Sequence, residues 1–322
     1  GIVVLEKKGR KIRLKIKEII DELSTDSIKA FILQYASQDK AFEMAFKSHF
    51  ISRVQTGADE SLKYKRVLEE MIKPKNAHNK IGPSQKKMIS IVLKDFVLQM
   101  NDCLSTDNYT EAYFLIKESL EKIAYLQNRY NIRDVSIENC RLQFINGLDL
   151  ILDKQLAPAF RNRVETELKS IVSKSYYIPR KHNLIELLNA KNVLVREDKT
   201  NLFKLLLKKS EDKSVEEDLL ITIIQLSHPF PEMARSTLLH FDHDKILNAI
   251  KYLIKDGKFE FVDFFIDNPE VDFKHNKSIL NILKFVEKED HEELNRQIKE
   301  IKHEELNILD LQMMCDALPA IY

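Results

Sequence analysis

The densest group of metal-ligating side chains is His240-Phe241-Asp242-His243-Asp244, four imidazole or carboxylate groups within five residues. On a helix His240 and His243 share a face, and such donors suit zinc or manganese. A metal centre needs three or four ligands converging in space, and this spacing matches no zinc signature. The competing reading is structural: Asp242 or Asp244 caps the next helix and complements its dipole, and the histidines lie in the turn. His240, Asp242 and His243 are the metal candidates; the capped turn is the favoured reading, and no cofactor is expected.

Charge marks a second candidate. Residues 1–100 hold 20 Lys/Arg and 12 Asp/Glu, a net of +8, and the remaining 222 residues hold 31 and 38, a net of −7. Lys7, Lys8, Arg10, Lys11, Arg13, Lys15 and Lys17 follow one another with no acid between residues 7 and 17. Lys73, Lys75, Lys80, Lys86 and Lys87 repeat the pattern. Basic clusters attract phosphate by releasing condensed counterions. Lysine outnumbers arginine here, however, and only arginine forks onto phosphate or guanine. No aromatic lies between residues 7 and 17 to stack a base. A solvated helix face is therefore preferred, with nucleic-acid contact as the alternative.

Other polar groups offer less. His49 lies between Phe46 and Phe50, as a packed or helix-end residue does. Glu165 and Glu167 flank Thr166 and so do not face each other on a helix. Tyr176-Tyr177 before Ile178-Pro179 reads as the seal of a helix end, and the acidic runs 211–218 and 287–293 as solvated joints or helix faces. No serine sits in a nucleophile elbow, and no local Cys–His pair stands out. Cys103, Cys140 and Cys315 are odd in number and far apart, as reduced thiols in helix interiors are. A cytoplasmic location follows as the expectation.

These groups must be carried on helices. The 322 residues include 6 glycines and no tryptophan, with 31% charged and 44% hydrophobic side chains. An average chain carries roughly 7% glycine. Scarcity of the residue that turns hairpins and cradles phosphates argues against an all-β fold, a dinucleotide fingerprint and a P-loop. Apolar residues recur at three- and four-residue steps: Ile12, Ile16, Ile19, Ile20 and Leu23, then Phe42, Ala45, Phe46 and Phe50, then Ile246, Leu247, Ile250, Leu253 and Ile254. Counted to the end, the pattern predicts about 15 short amphipathic helices. Ser24 and Asp39 read as caps, Asp256-Gly257 as a helix stop, and residues 73–87 as the clearest linker. Ile2 to Leu5 could form a short strand. The longest apolar stretch, Leu219 to Leu226, is far shorter than the roughly 20 residues of a membrane span. The opening Gly1-Ile2-Val3, without methionine, reads as the start of an excised fragment.

Residues 105–124, with Tyr109, Ala112 and Tyr113 leading an apolar stripe, resemble the second helix of a tetratricopeptide-type pair whose partner is residues 86–103. Residues 24–50 resemble a helical segment of bacterial SWIM-type zinc-finger proteins. The matching parts are the basic lead-in Lys7 to Lys17, Leu23-Ser24, Tyr35-Ala36, Asp39, and Phe42 with Phe46, and the likeness spans roughly residues 11–175. The Cys-x-Cys…Cys-x-His motif of that family is absent, so the resemblance implies a helical portion without the finger, carries over no zinc binding, and carries DNA binding only as an attribute of the missing part.

The expectation is an all-α protein, an irregular α-solenoid of antiparallel helix pairs, tetratricopeptide-like in the middle and HEAT-like toward the C-terminus. Three helical units are expected, over 1–73, 84–178 and 180–322. The expected role is a non-catalytic scaffold binding a partner protein, without a membrane; the alternative is a nucleic-acid accessory module.

Overall fold

The computed structural model describes residues 15–54, 61–72, 81–211, 217–267 and 277–300. Among the described residues there are sixteen α-helices and no strand, so the chain is all-α and multi-helical, with a repeat-like succession of helices. Residues 2–5, the expected strand, lie outside the described residues. The helices group into two compact units. One comprises the described residues up to Ser119 together with Asp134–Cys140; the other comprises Leu120–Arg133 and the described residues from Arg141 on.

The first unit contains α1 (Ile16–Glu22), α2 (Thr25–Gln38), α3 (Lys40–Phe50), α4 (Ser61–Ile72) and α5 (Pro83–Ser105). The predicted caps act: Ser24 Oγ accepts from Ser27 N at 3.2 Å, and Asp39 Oδ1 accepts from Ala41 N at 2.8 Å and Phe42 N at 3.1 Å. Each side-chain acceptor satisfies an N–H that the first turn leaves open. Helix α5 is the spine, with Ile89, Val92, Leu93, Phe96 and Met100 buried. It packs on α3 and α4. Ser48 Oγ donates to Asp95 Oδ2 at 2.8 Å and Gln99 Nε2 to the Ser48 carbonyl at 2.5 Å, fixing how α3 lies on α5. α6 (Tyr109–Tyr130) and α7 (Val135–Leu152) follow, each contributing to both units.

The second unit continues with α8 (Pro158–Val172), α9 (Leu184–Ala190), α10 (Arg196–Glu211), α11 (Glu217–Ser227) and α12 (Pro231–His240). It ends with α13 (His243–Lys255), α14 (Phe259–Asp267), α15 (Lys277–Glu287) and α16 (His291–Glu300). Helix α11 packs on α9, α13 on α11, and α15 on α13, while α10, α12, α14 and α16 each pack on a chain neighbour in that row. This alternation is how successive helix pairs bury apolar faces that none could bury alone. Helix α11 carries the consequence: every residue from Leu219 to Ser227 is buried.

Turns of one geometry recur. After α13, Gly257 (φ +70°) sends its N–H to the Ile254 carbonyl at 3.0 Å, and Lys258 N reaches Leu253 O at 2.9 Å. The same two-bond cap closes α5 at Asp107 (φ 55°), α9 at Asn192 (φ 54°) and α15 at Glu289 (φ 55°). It satisfies the last carbonyls of a helix and normally takes glycine. Glycine scarcity thus does not remove left-handed corners; Asp107 and Asn192, which tolerate them better than most side chains, and Glu289, which does not, fill three of these four.

Candidate functional site

The sequence candidates separate in the structure. His240 ends α12, where its Nε2 lies 2.9 Å from Ser210 Oγ and its ring meets Phe241 edge-on at 4.8 Å. Asp242 occupies the capping position of α13, as expected, yet its carboxylate makes no cap bond and pairs instead with Lys245 at 3.2 Å. His243 is the first residue of α13. No group of three metal-ligating side chains converges among the described residues. Of the basic stretches, Lys15 and Lys17 are exposed at the start of α1, and Lys86 and Lys87 lie in the first turns of α5. Lys7, Lys8, Arg10, Lys11, Arg13, Lys73, Lys75, Lys80 and Cys315 lie outside the described residues.

The remaining polar groups have structural partners. Glu165 pairs with Arg161, and Glu167 with Arg163 at 2.9 Å. His49 packs edge-on against Phe50 at 4.7 Å in the last turn of α3. Burial pushes the Cys103 and Cys140 thiols up, away from thiolate reactivity. In the first unit Lys63, 4% exposed, lies 2.6 Å from Glu111 and donates to the Val54 carbonyl at 3.2 Å. Tyr64 also donates to Glu111. Removing either Lys63 or Glu111 alone would leave the other charge buried without its partner, at a cost of about 3–5 kcal/mol.

Two surfaces stand out. The first is an aromatic ladder on α2 and α3. Phe31 stacks on Tyr35 (5.7 Å), Tyr35 meets Phe42 edge-on (4.8 Å), Phe42 meets Phe46 (6.1 Å), and Phe46 meets Phe50 (4.8 Å). Much of it faces solvent: Phe31 is 62% exposed, with Leu33, Tyr35 and Phe46 also exposed. Neither α1 nor α2 buries a residue, and Ile16, Ile19 and Ile20 of α1 and Leu23 just after it are exposed too. Three exposed rings, with half-buried Phe42 and Phe50 between and beside them, offer large apolar area at low conformational cost.

The second surface is a groove of about 420 Å³ in the second unit, between Glu217 and Leu220 of α11 and the outer face of α13. Lys245, Asn248, Tyr252 and Lys255 recur at three- and four-residue steps along that face, with Lys251 beside them. Lys181 joins from the segment before α9, its Nζ 4.6 Å from the Tyr252 ring centre. That segment is held from below. Arg141 of α7, 6% exposed, donates to the His182 carbonyl at 2.9 Å and the Lys181 carbonyl at 2.6 Å. Asn183 caps α9 and donates to Arg180 O at 2.8 Å and Thr222 Oγ1 of α11 at 3.0 Å. The Tyr177 hydroxyl accepts from Leu184 N at 3.1 Å, so Tyr177 does seal a helix end, the start of α9. Burial holds the Tyr177 phenol far above its ordinary range, so it stays neutral.

The polar face of α13 was legible as the complement of its apolar stripe. That Lys181 reaches Tyr252 was not, because no local signal links the two. No family model matches the chain, and neither the curated proteins nor the solved structures contain a match to it.

Proposed function

We propose that the protein is a non-catalytic helical scaffold that binds a partner protein, with the α2–α3 aromatic ladder as the contact. The single observation behind this reading is the row Phe31–Tyr35–Phe42–Phe46–Phe50, of which Phe31, Tyr35 and Phe46 are exposed. Aromatic side chains dominate interface hot spots because each buries a large rigid surface. An apolar helical segment of a partner, laid across the rings, would bury them as a core does.

A photoreactive phenylalanine analogue at Phe31 or at Phe46 tests this in extract of the native host. One discrete protein is expected to crosslink, and the same analogue at exposed Val195 of the second unit is expected to capture none. The Phe31→Ser/Phe46→Ser variant should no longer co-purify that protein while its far-UV helicity is retained, with a stability loss limited to about 0.5–1.5 kcal/mol for each ring contact removed at Phe46. Crosslinks to nucleic acid only, to a second copy only, or to nothing overturn the reading.

A further inference from the structure

The groove on α13 lies in the other unit and rests on observations independent of the ladder. We propose that it docks an acidic protein segment, a run of Asp and Glu side chains interrupted by an apolar one.

Four observations lead there. Among the described residues, Lys245, Lys251 and Lys255 line the groove, Lys245 already paired with Asp242 at 3.2 Å, and Lys181 stands over the ring of Tyr252, against one lining carboxylate, Glu217. Lys255 is exposed and has no ion-pair partner among the described residues, so its charge is available to a ligand. The Lys181 backbone is clamped by buried Arg141 and by the Asn183 cap, which fixes where its side chain leaves the chain, and its Nζ rests 4.6 Å from the Tyr252 ring centre. Preorganised charge costs less ordering entropy when a ligand binds.

The wall and floor decide which polyanion fits. The half-buried Tyr252 ring and the lysine stems present an apolar contact that a phosphate backbone does not use, whereas a peptide can place one apolar side chain there; Leu220, 2% exposed, only backs the wall. Asn248 presents one amide donor pair and one acceptor, which suits a peptide group. Glu217 repels an unbroken row of phosphates, but a peptide can skip a charge at that point. Among the described residues no arginine lines the groove to grip phosphate bidentately. An acidic peptide is therefore favoured over nucleic acid.

The full chain is titrated with a fluorescein-labelled peptide repeating Glu-Glu-Leu-Glu, and with its Gln-Gln-Leu-Gln counterpart. The acidic peptide is expected to bind saturably, at least about tenfold more tightly than the amide peptide, and to weaken as salt rises. Lys181→Glu/Lys255→Glu should cost at least about tenfold in affinity, and the milder Lys181→Gln/Lys255→Gln an intermediate amount. Both changes lie on exposed side chains, and an unchanged melting curve confirms that the fold is intact. The Phe31→Ser/Phe46→Ser variant should bind the peptide as the parent does, so failure of the groove and failure of the ladder are read separately. Equal binding of both peptides overturns the proposal. So does absence of saturation, loss of nothing in the lysine variants, or tighter binding of an oligothymidylate of equal charge.

Discussion

His228 stands between two ring edges, Phe261 at 5.3 Å and Phe264 at 5.2 Å, and its imidazole is partly shielded from water. Burial, then the nearby Lys199 charge, hold its pKa below the ordinary 6.5, with Glu260 opposing. The folded chain thus prefers the neutral ring, and the unfolded chain binds the proton first as pH falls. The stabilisation is full above the unfolded pKa, shrinks as pH drops through it, and levels off below the folded pKa. Thermal melts of the parent and of His228→Gln, compared from about pH 8 down to pH 5, should show the parent losing more stability below about pH 6.5. Parallel curves would show that His228 titrates alike in both states. Arg141 and Asn183 act by a different logic. Each is nearly closed to solvent and satisfies several backbone groups at once, so each fixes a loop whose position its own neighbours in sequence do not determine.

The two-bond caps after α5, α9, α13 and α15 make the element-scale prediction. A side chain in the left-handed region costs about 1–2 kcal/mol, less for Asn and Asp, and glycine escapes it. Asp107→Gly and Glu289→Gly should each raise stability by roughly 0.5–1 kcal/mol, the larger gain at Glu289, in urea unfolding. Gly257→Ala should lower it by about 1 kcal/mol from backbone strain alone, since an added Cβ there meets nothing within 4 Å. A loss of stability on Glu289→Gly would show that the flexibility gained by the unfolded chain outweighs the relief. Helix α11 shows where element and sequence part. Its run Leu219–Leu226 reads simply as apolar, but complete burial, with Thr222 and Gln225 included, follows from its place between α9 and α13, with α10 and α12 also packed on it.

At the scale of the molecule, the net charge of +1 and isoelectric point near 7.8 leave little repulsion between copies at neutral pH. An exposed aromatic row on such a surface favours self-association. Light scattering should therefore show least solubility near pH 7.8 and a clear gain about two units below it, where positive charge accumulates. Phe31→Ser/Phe46→Ser should flatten that minimum. A minimum equally deep in the variant would place the association elsewhere than the ladder.

Helix periodicity, the caps at Ser24 and Asp39 and the stop at Gly257 were all legible in the sequence, because each depends on residues within about one turn of one another. Those local rules determined an all-helical chain and its approximate helix count. They also placed His240, Asp242 and His243 at a helix–helix joint, but could not say that Ser210 and Lys245 would take up two of the three. The ladder joins two helices across Asp39, and the groove joins Lys181 to α13; both need segments to meet in space. Only tertiary packing, by choosing which polar faces border one another, decided where this protein offers charge and where it offers rings.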